Sequence, residues 1–298
     1  MEPQVWGMVA GVVVFGAAII TTFVLMVLGG SFKRMREQAD TYRKAGPEAL
    51  RQSLKPRPLL YDELLEAACT LPDTPPLPEE DSGVLRGELV QLRSLRVEDA
   101  ADLFDACNGS PKLGKAYDPE AEIWRLQPHG PFSSREELAG SGLMRTLCDG
   151  RRFKVVDKPS NQAMGMACII ANDPRNLRAE IGDLWLNPCR WGPSEEGPGP
   201  ELEVLYLLLK YLFGLGYRRV EWRMDAGDDR GRRAAEAAGF WMEGVLRKHM
   251  IVKDSNRDTA LFALVNSDWR DAACQALEKR LQWGRPQGGG AASAKKKA

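Results

Sequence analysis

Between Glu180 and Trp222 the chain passes through two alternating segments separated by one apolar block, and this stretch sets the frame for the rest. Ala179 to Leu186 places Ile181, Leu184 and Leu186 among alternating or apolar neighbours and predicts a strand. Pro188 then removes a ladder donor, so pairing is expected to fail just beyond Leu186. A loop rich in proline and glycine follows. Pro200 stands where a first helical turn would start, ahead of the apolar run Val204, Leu205, Leu207, Leu208, Tyr211 and Leu212. Gly214 and Gly216 supply the backbone freedom that ends a helix, and Arg218 to Met224 alternates as a new strand. A strand that loses its neighbour beside a helix N-terminus leaves free N–H groups facing a cleft. Those groups and the helix dipole both favour a phosphate-bearing ligand.

The same patterning predicts the flanking elements. Glu88 to Leu95 alternates as a first strand, and Val97 to Cys107 follows with helical periodicity and acids in its first turn. Ile123 to Phe132 reads as a loop carrying aromatics. Ser134 opens a helix, with Glu137 three residues on as a capping-box partner. Arg152 to Asp157 and Met164 to Ala171 are expected to pair as strands. Beyond the central stretch come a helix from Gly231 to Ala238 ended by Gly239, strands at Phe240 to Leu246 and Leu261 to Val265, and a closing helix from Asp268 to Trp283.

The N-terminal pattern is different in kind. From Pro3 to Phe32 no residue is charged, and the apolar run Val5 to Leu28 would span roughly 36 Å as a helix, enough to cross a bilayer with some tilt. A cleaved signal peptide competes with an uncleaved anchor. The anchor is favoured because no basic residue precedes the run and the run exceeds the usual signal-peptide core. Lys33, Arg34 and Arg36 follow directly, which predicts a single-pass protein with its N-terminus outside the cytosol and everything after the helix on the cytosolic side. The chain finishes Lys295, Lys296, Lys297, Ala298, resembling a di-lysine retrieval signal of the endoplasmic reticulum; a solvated basic tail explains it equally well. The expected organisation is an anchor at 1–32, a juxtamembrane helix and Pro-rich linker at 33–83 with a short helix from Tyr61 to Cys69, a folded domain at 84–283, and a disordered basic tail at 284–298.

Composition narrows the chemistry. The 298 residues carry 41 Lys plus Arg against 41 Asp plus Glu, so no global charge invites nucleic acid, and no basic stripe interleaved with aromatics appears in the core region. Six cysteines without a CxxC pair read as buried thiols in a reducing compartment. With only His129 and His249 present, a metal site is not expected.

Five blocks carry a family resemblance: LRSLRVEDAADLF, AEIGDLWLNP, LLLKYLFGLGYRRVEWRMDA, RRAAEAAGFWMEGVLR and NRDTALFALVNSDW. In this order they resemble a GCN5-related N-acetyltransferase, closest to the branch that includes ribosomal-protein N-terminal acetyltransferases and many bacterial relatives. The match covers roughly Val84 to Trp283, and AAGFxxEG at Ala237 to Gly244 is its most specific part. The resemblance implies an α/β fold with a mixed sheet, helices on both faces, and acetyl-CoA in a splay after the fourth strand.

Acetyl transfer from a thioester to an amine needs a proton acceptor for the amine and an N–H donor for the developing oxyanion. The resemblance assigns proton acceptance to Glu180, with Asp183 behind it. It assigns cofactor contacts to the backbone of Leu184, Trp185 and Leu186, to Arg190, Trp191, Gly192, Gly197 and Gly199 in the pyrophosphate loop, and to Asp228. That loop is longer and more acidic than in relatives, with Glu195 and Glu196 inside it, and Asp228 and Gly231 stand where relatives carry Asn-x-x-Ser. The expected protein is a membrane-anchored N-acetyltransferase acting on an amine of a protein, peptide or small molecule. The alternative is a tethered scaffold of the same fold that has lost turnover.

Overall fold

The chain divides into two compact units, 1–63 and 64–298. The computed structural model describes residues 71–72, 74–75, 83–112, 114–145, 151–192 and 198–282, all within the second unit. The expected anchor, the juxtamembrane segment, the helix from Tyr61 to Cys69 and the basic tail lie outside the described residues. Among the described residues no helix is long and apolar enough to cross a membrane.

The strands are β1 (Val84–Arg86), β2 (Val90–Ser94), β3 (Arg152–Asp157), β4 (Gln162–Asp173), β5 (Arg178–Leu186), β6 (Arg219–Asp225), β7 (Trp241–Val252) and β8 (Ser255–Val265). They form one sheet in the order β1-β2-β3-β4-β5-β6-β8-β7, antiparallel throughout except for the parallel pair β5–β6. The fold is therefore α/β with a mixed sheet. The hairpin strand β1 precedes the first strand expected from the sequence, so the splay follows the fifth strand here rather than the fourth.

Helices cover the sheet in two groups. On one face α5 (Pro200–Gly214), α6 (Asp229–Ala237) and α7 (Cys274–Leu281) enclose a core with Leu205, Leu208, Leu212, Ile181, Val220 and Phe262. Pro200 fits the first turn of α5 because that position has no intrahelical N–H bond to lose. Leu202 through Leu209 are all buried along it, each such apolar side chain contributing roughly 1.5–3 kcal/mol. The other face packs α1 (Ala100–Cys107), α2 (Pro119–Glu122), α3 (Arg135–Gly140) and α4 (Gly142–Arg145), with Leu103, Trp124 and Leu138 against Met166, Cys168 and Trp185.

Several elements differ from the sequence reading. Val97–Asp99 is a 3-10 turn leading into α1, and Ile123 to Phe132 is not all loop, since Trp124–Leu126 forms another such turn after α2. Ser134 caps α3 by accepting from the Glu137 N–H at 3.1 Å, but the Glu137 carboxylate returns to the N–H of Ser133 rather than to that of Ser134. The closing helix begins at Asn266–Asp268 and passes through a π-helical stretch, Trp269–Ala273, before α7. The linker is not wholly separate from the domain. Arg151 donates to the Pro75 carbonyl at 2.6 Å, Asn172 donates to that of Pro72 at 3.3 Å, and Leu71 packs against the main core. Cys107 and Cys168 are buried as expected of thiols, whereas Cys189 is exposed because its turn has left the sheet edge.

Candidate active site

Pairing between β5 and β6 ends at Ile181 opposite Trp222, although β5 runs on to Leu186 and β6 to Asp225. Beyond that rung the edge of β5 that faced β6 has no strand partner, while its other edge stays bonded to β4 through Trp185 and Leu186. The N–H of Asn187 still reaches the Met164 carbonyl at 2.7 Å, and Pro188 then opens a 3-10 turn. The sequence anticipates a strand losing a neighbour just beyond Leu186; the structure has β5 lose β6 already after Ile181, five residues earlier, while β4 stays paired through Leu186.

A bulge sharpens the geometry. Cys168 opposes Gly182 and Met166 opposes Trp185, so two residues of β5 face one of β4, and Asp183 takes φ 45° to accommodate the extra residue. Ile181 and Leu184 consequently both face the α5 layer, and Trp185 turns to the opposite face, its ring centroid 5.4 Å from that of Trp124 at a tilt of 57°.

Into the gap opens a cleft of about 260 Å³. Leu184, Trp185 and Leu186 line one wall, with Trp191 and Asp228 beside them. The segment 121–127 and the start of α6 complete it, bringing in Arg125, Arg230 and Arg233, none of which stood out in the sequence. The signal was there in part: Arg230 and Arg233 are three residues apart on a helix starting after Asp228, and so share a face. The three guanidiniums and the unpaired edge of β5 suit a ligand carrying both phosphate and amide groups.

The remaining expected contacts lie elsewhere. Arg190 bonds to Asp157 at 2.6 Å and does not line the cleft. Gly192 donates its N–H to the Glu201 carboxylate at 3.0 Å. Gly199 is the N-cap of α5, where a Cβ would collide with that same carboxylate and with the Gly192 carbonyl. Gly197, Glu195 and Glu196 lie outside the described residues. The first turn of α5 does carry two buried acids, but both turn to backbone donors: Glu201 to Gly192, and Glu203 to the N–H groups of Glu88, Leu89 and Val90 at 2.7, 2.8 and 2.7 Å.

Asp228 caps α6 by accepting from the Gly231 N–H at 2.8 Å, and burial raises its carboxyl above the usual range while that bond and the Arg230 N–H pull it down. A Cβ on Gly231 would stand 2.7 Å from the Asp228 carboxylate and 2.9 Å from the Met224 sulfur. A side chain at 231 would require the Asp228 carboxylate or the Met224 side chain to shift.

Glu180 sits on the rung before the last, opposite Glu221. It is buried, and burial raises its carboxyl above the ordinary value; the nearby Arg223, Arg178 and Arg257 oppose that rise and Glu221 adds to it. Arg223 is closest, its Nε 3.6 Å from the Glu180 carboxylate. Asp183 is also raised by burial, against the pull of His129 and Arg152. Neither acid lines the cleft; both belong to the strand just ahead of its open end. Among the described residues no cluster of His, Cys, Asp or Glu could hold a metal ion.

A strap bridges the front of the splay. Lys253, in the tight turn between β7 and β8, donates to the Trp124 carbonyl at 2.8 Å and pairs with Glu120 at 3.2 Å, while Arg230 pairs with Glu122. Both fastenings lie on the β6–β8 side of the gap, and on the β5 side Trp124 packs against Trp185.

Residues 90–241 match the family model described as an acetyltransferase (GNAT) domain. Solved structures agree. A GCN5-related N-acetyltransferase from Brucella melitensis is 32% identical over 69% of this chain and 88% of its own, with a TM-score of 0.57. A probable GNAT-family acetyltransferase from Chromobacterium violaceum is 30% identical over 65% of this chain and 91% of its own, with a TM-score of 0.55. A putative acetyltransferase from T. thermophilus is 25% identical over 69% of this chain and 98% of its own, with a TM-score of 0.54. Among curated proteins none matches the chain significantly.

Proposed function

The chain belongs to the GNAT family of acetyltransferases, and from that premise we propose that it transfers an acetyl group from acetyl-CoA to a primary amine of a protein or peptide, with Glu180 accepting the proton. The observation that carries this reading is the placement of a buried carboxylate one rung before two parallel strands part. Acetyl-CoA supplies an activated acyl group as a thioester. Its phosphates suit Arg125, Arg230 and Arg233, and its amide-bearing arm suits the unpaired edge of Leu184 to Leu186. The amine nitrogen bonds to the acetyl carbon as the carbon–sulfur bond breaks, the nitrogen's proton passes to Glu180, and coenzyme A leaves as its thiolate, which takes up a proton from solvent. A carboxyl raised by burial is a stronger base than an exposed one, and Arg223 at 3.6 Å keeps it ionisable. Free N–H groups on β5 are the available donors for the oxyanion, fixed in place before reaction.

Location belongs to the same proposal. The uncharged run Val5 to Leu28 followed by Lys33, Arg34 and Arg36 supports a single-pass anchor with the catalytic domain on the cytosolic side. Alkaline extraction of membranes from expressing cells tests the anchor, and release of the intact chain into the soluble fraction would remove it from the reading. Activity is tested by incubating the full chain with acetyl-CoA and a mixed peptide library, following free thiol and peptide mass. Thiol release that tracks peptide acetylation supports the assignment; coenzyme binding without any acetylated product would overturn it.

A further inference from the structure

The cleft beside the open edge of β5 is lined by Arg125, Arg230 and Arg233, and an amine acceptor arrives at neutral pH as an ammonium. Among the described residues Arg125 and Arg233 form no ion pair, so a cation approaching them is repelled unless an acid faces it. Three acids line the same cleft, Glu122, Asp228 and Asp229. Two are committed to neighbours on α6: Asp228 accepts from the Gly231 N–H at 2.8 Å, and Asp229 pairs with Arg232 at 2.7 Å. Glu122 is different, because its partner is itself a cleft arginine. Arg230 pairs with the Glu122 carboxylate and donates to the Glu122 carbonyl at 3.4 Å. Each side chain of that pair is 39% exposed. An ion pair so open to water is worth less than about a fivefold change in an equilibrium constant, and a stronger anion can take its arginine.

We propose that the phosphates of coenzyme A take Arg230 from Glu122, and that the freed Glu122 carboxylate then binds the ammonium of the acceptor before its proton passes on. The inference rests on the acetyltransfer reading above and adds the residue that docks the acceptor. A phosphate carries more charge and more acceptor oxygens than a carboxylate, so it outcompetes Glu122 for the guanidinium. The same phosphates offset the charge of Arg125 and Arg233, which removes the repulsion that an ammonium meets in the empty cleft. Glu180 does not line the cleft and cannot supply that counter-charge at its mouth. Donor and acceptor therefore strengthen each other's binding, and by linkage they do so by one and the same factor.

The test is calorimetry on the full chain with a panel of lysine-free peptides, each with a free and with an acetylated N-terminus, in the absence and presence of saturating coenzyme A. Free-amine peptides are expected to bind at least about fivefold more tightly when the coenzyme is present, and acetylated ones to gain nothing. Glu122→Gln should remove that gain. In the opposite direction it should tighten coenzyme A itself by about two- to fivefold, because no carboxylate then competes for Arg230. Glu120→Gln releases the neighbouring fastening to Lys253 from a position that does not line the cleft, and should leave both quantities as in the wild type. Peptides that bind no better with the coenzyme, a gain that survives Glu122→Gln, a Glu122→Gln chain that binds coenzyme A more weakly, or an equal response to Glu120→Gln each overturn the proposal. Binding is read without turnover. A chain that shows the gain yet transfers no acetyl group overturns the reaction and leaves this inference supported, whereas acetylated peptide from a chain without the gain does the reverse.

Discussion

Arg223, one residue past the last rung that β5 and β6 share, brings its Nε within 3.6 Å of the Glu180 carboxylate. A proton acceptor there must be ionised to act, and burial moves its titration upward from 4.5. Acetylation should therefore rise with pH through a limb lying above the ordinary carboxylate range. Glu180→Gln should lower kcat by about 10²–10⁴ and abolish that limb while leaving coenzyme A affinity intact. Steady-state rates across pH, with calorimetry for the coenzyme, check both halves; unchanged turnover would remove Glu180 from the chemistry.

Arg233 is exposed, lines the cleft and forms no ion pair among the described residues that would compete for its guanidinium. Arg233→Ala should weaken coenzyme A binding about tenfold at low salt, with the deficit shrinking as ionic strength rises. A deficit independent of salt would point to altered packing of α6 instead.

Glu203 holds the turn between β1 and β2 through three backbone N–H groups. Glu203→Ala leaves those donors without their acceptor and should cost about 3 kcal/mol or more in urea denaturation. Glutamine, which keeps one carbonyl oxygen, should fall between the two.

A serine at 231, the residue the family resemblance implies there, is expected to harm the protein. Gly231→Ser places a Cβ against Asp228 and the Met224 sulfur, at a cost on the order of 1–3 kcal/mol. The melting temperature should drop, and pairing the change with Asp228→Asn should not recover it, because the methionine contact remains.

Glu201 gives a stability test with a definite sign. Burial raises its carboxyl above 4.5, against the pull of the Gly192 N–H. The folded chain then holds this proton more tightly than the unfolded one, so its contribution is fully present below pH about 4.5 and is lost as pH rises through the raised value. Glutamine does not titrate. The midpoint difference between wild type and Glu201→Gln should therefore shift against the wild type as pH climbs through that window, and a difference constant with pH would contradict the assignment.

Much of this is legible in the chain because proline, glycine and apolar runs punctuate it where its elements change. Pro188 and Pro200 bracket the loop between β5 and α5, and β3 spans the same residues, Arg152 to Asp157, that alternation predicts. What alternation misses depends on contacts distant in sequence or on backbone that it does not encode. Glu203 reads as one more acid in a helical first turn, and only the fold shows it 113 residues away from its partner Val90. Alternation ends strand β7 at Leu246; the strand continues to Val252 because Arg247, Lys248 and His249 lie on an exposed edge, where polar residues cost nothing and leave no periodicity. The strap is hidden because its fastenings, Lys253 and Arg230, look like ordinary surface charge until paired with Glu120 and Glu122.

Asp183 has a consequence for how this strand tolerates change. Up to Gly182 the even-numbered positions look away from α5, and after it the odd-numbered ones do, so β5 is read in two frames joined at one residue. Removing that residue would merge the two frames into one unbroken alternation and leave Leu184, Trp185 and Leu186 in their layers, without the bulge. A second inserted or deleted residue elsewhere in the strand has no such relief, and would exchange inside for outside along the wall that Leu184, Trp185 and Leu186 give the cleft.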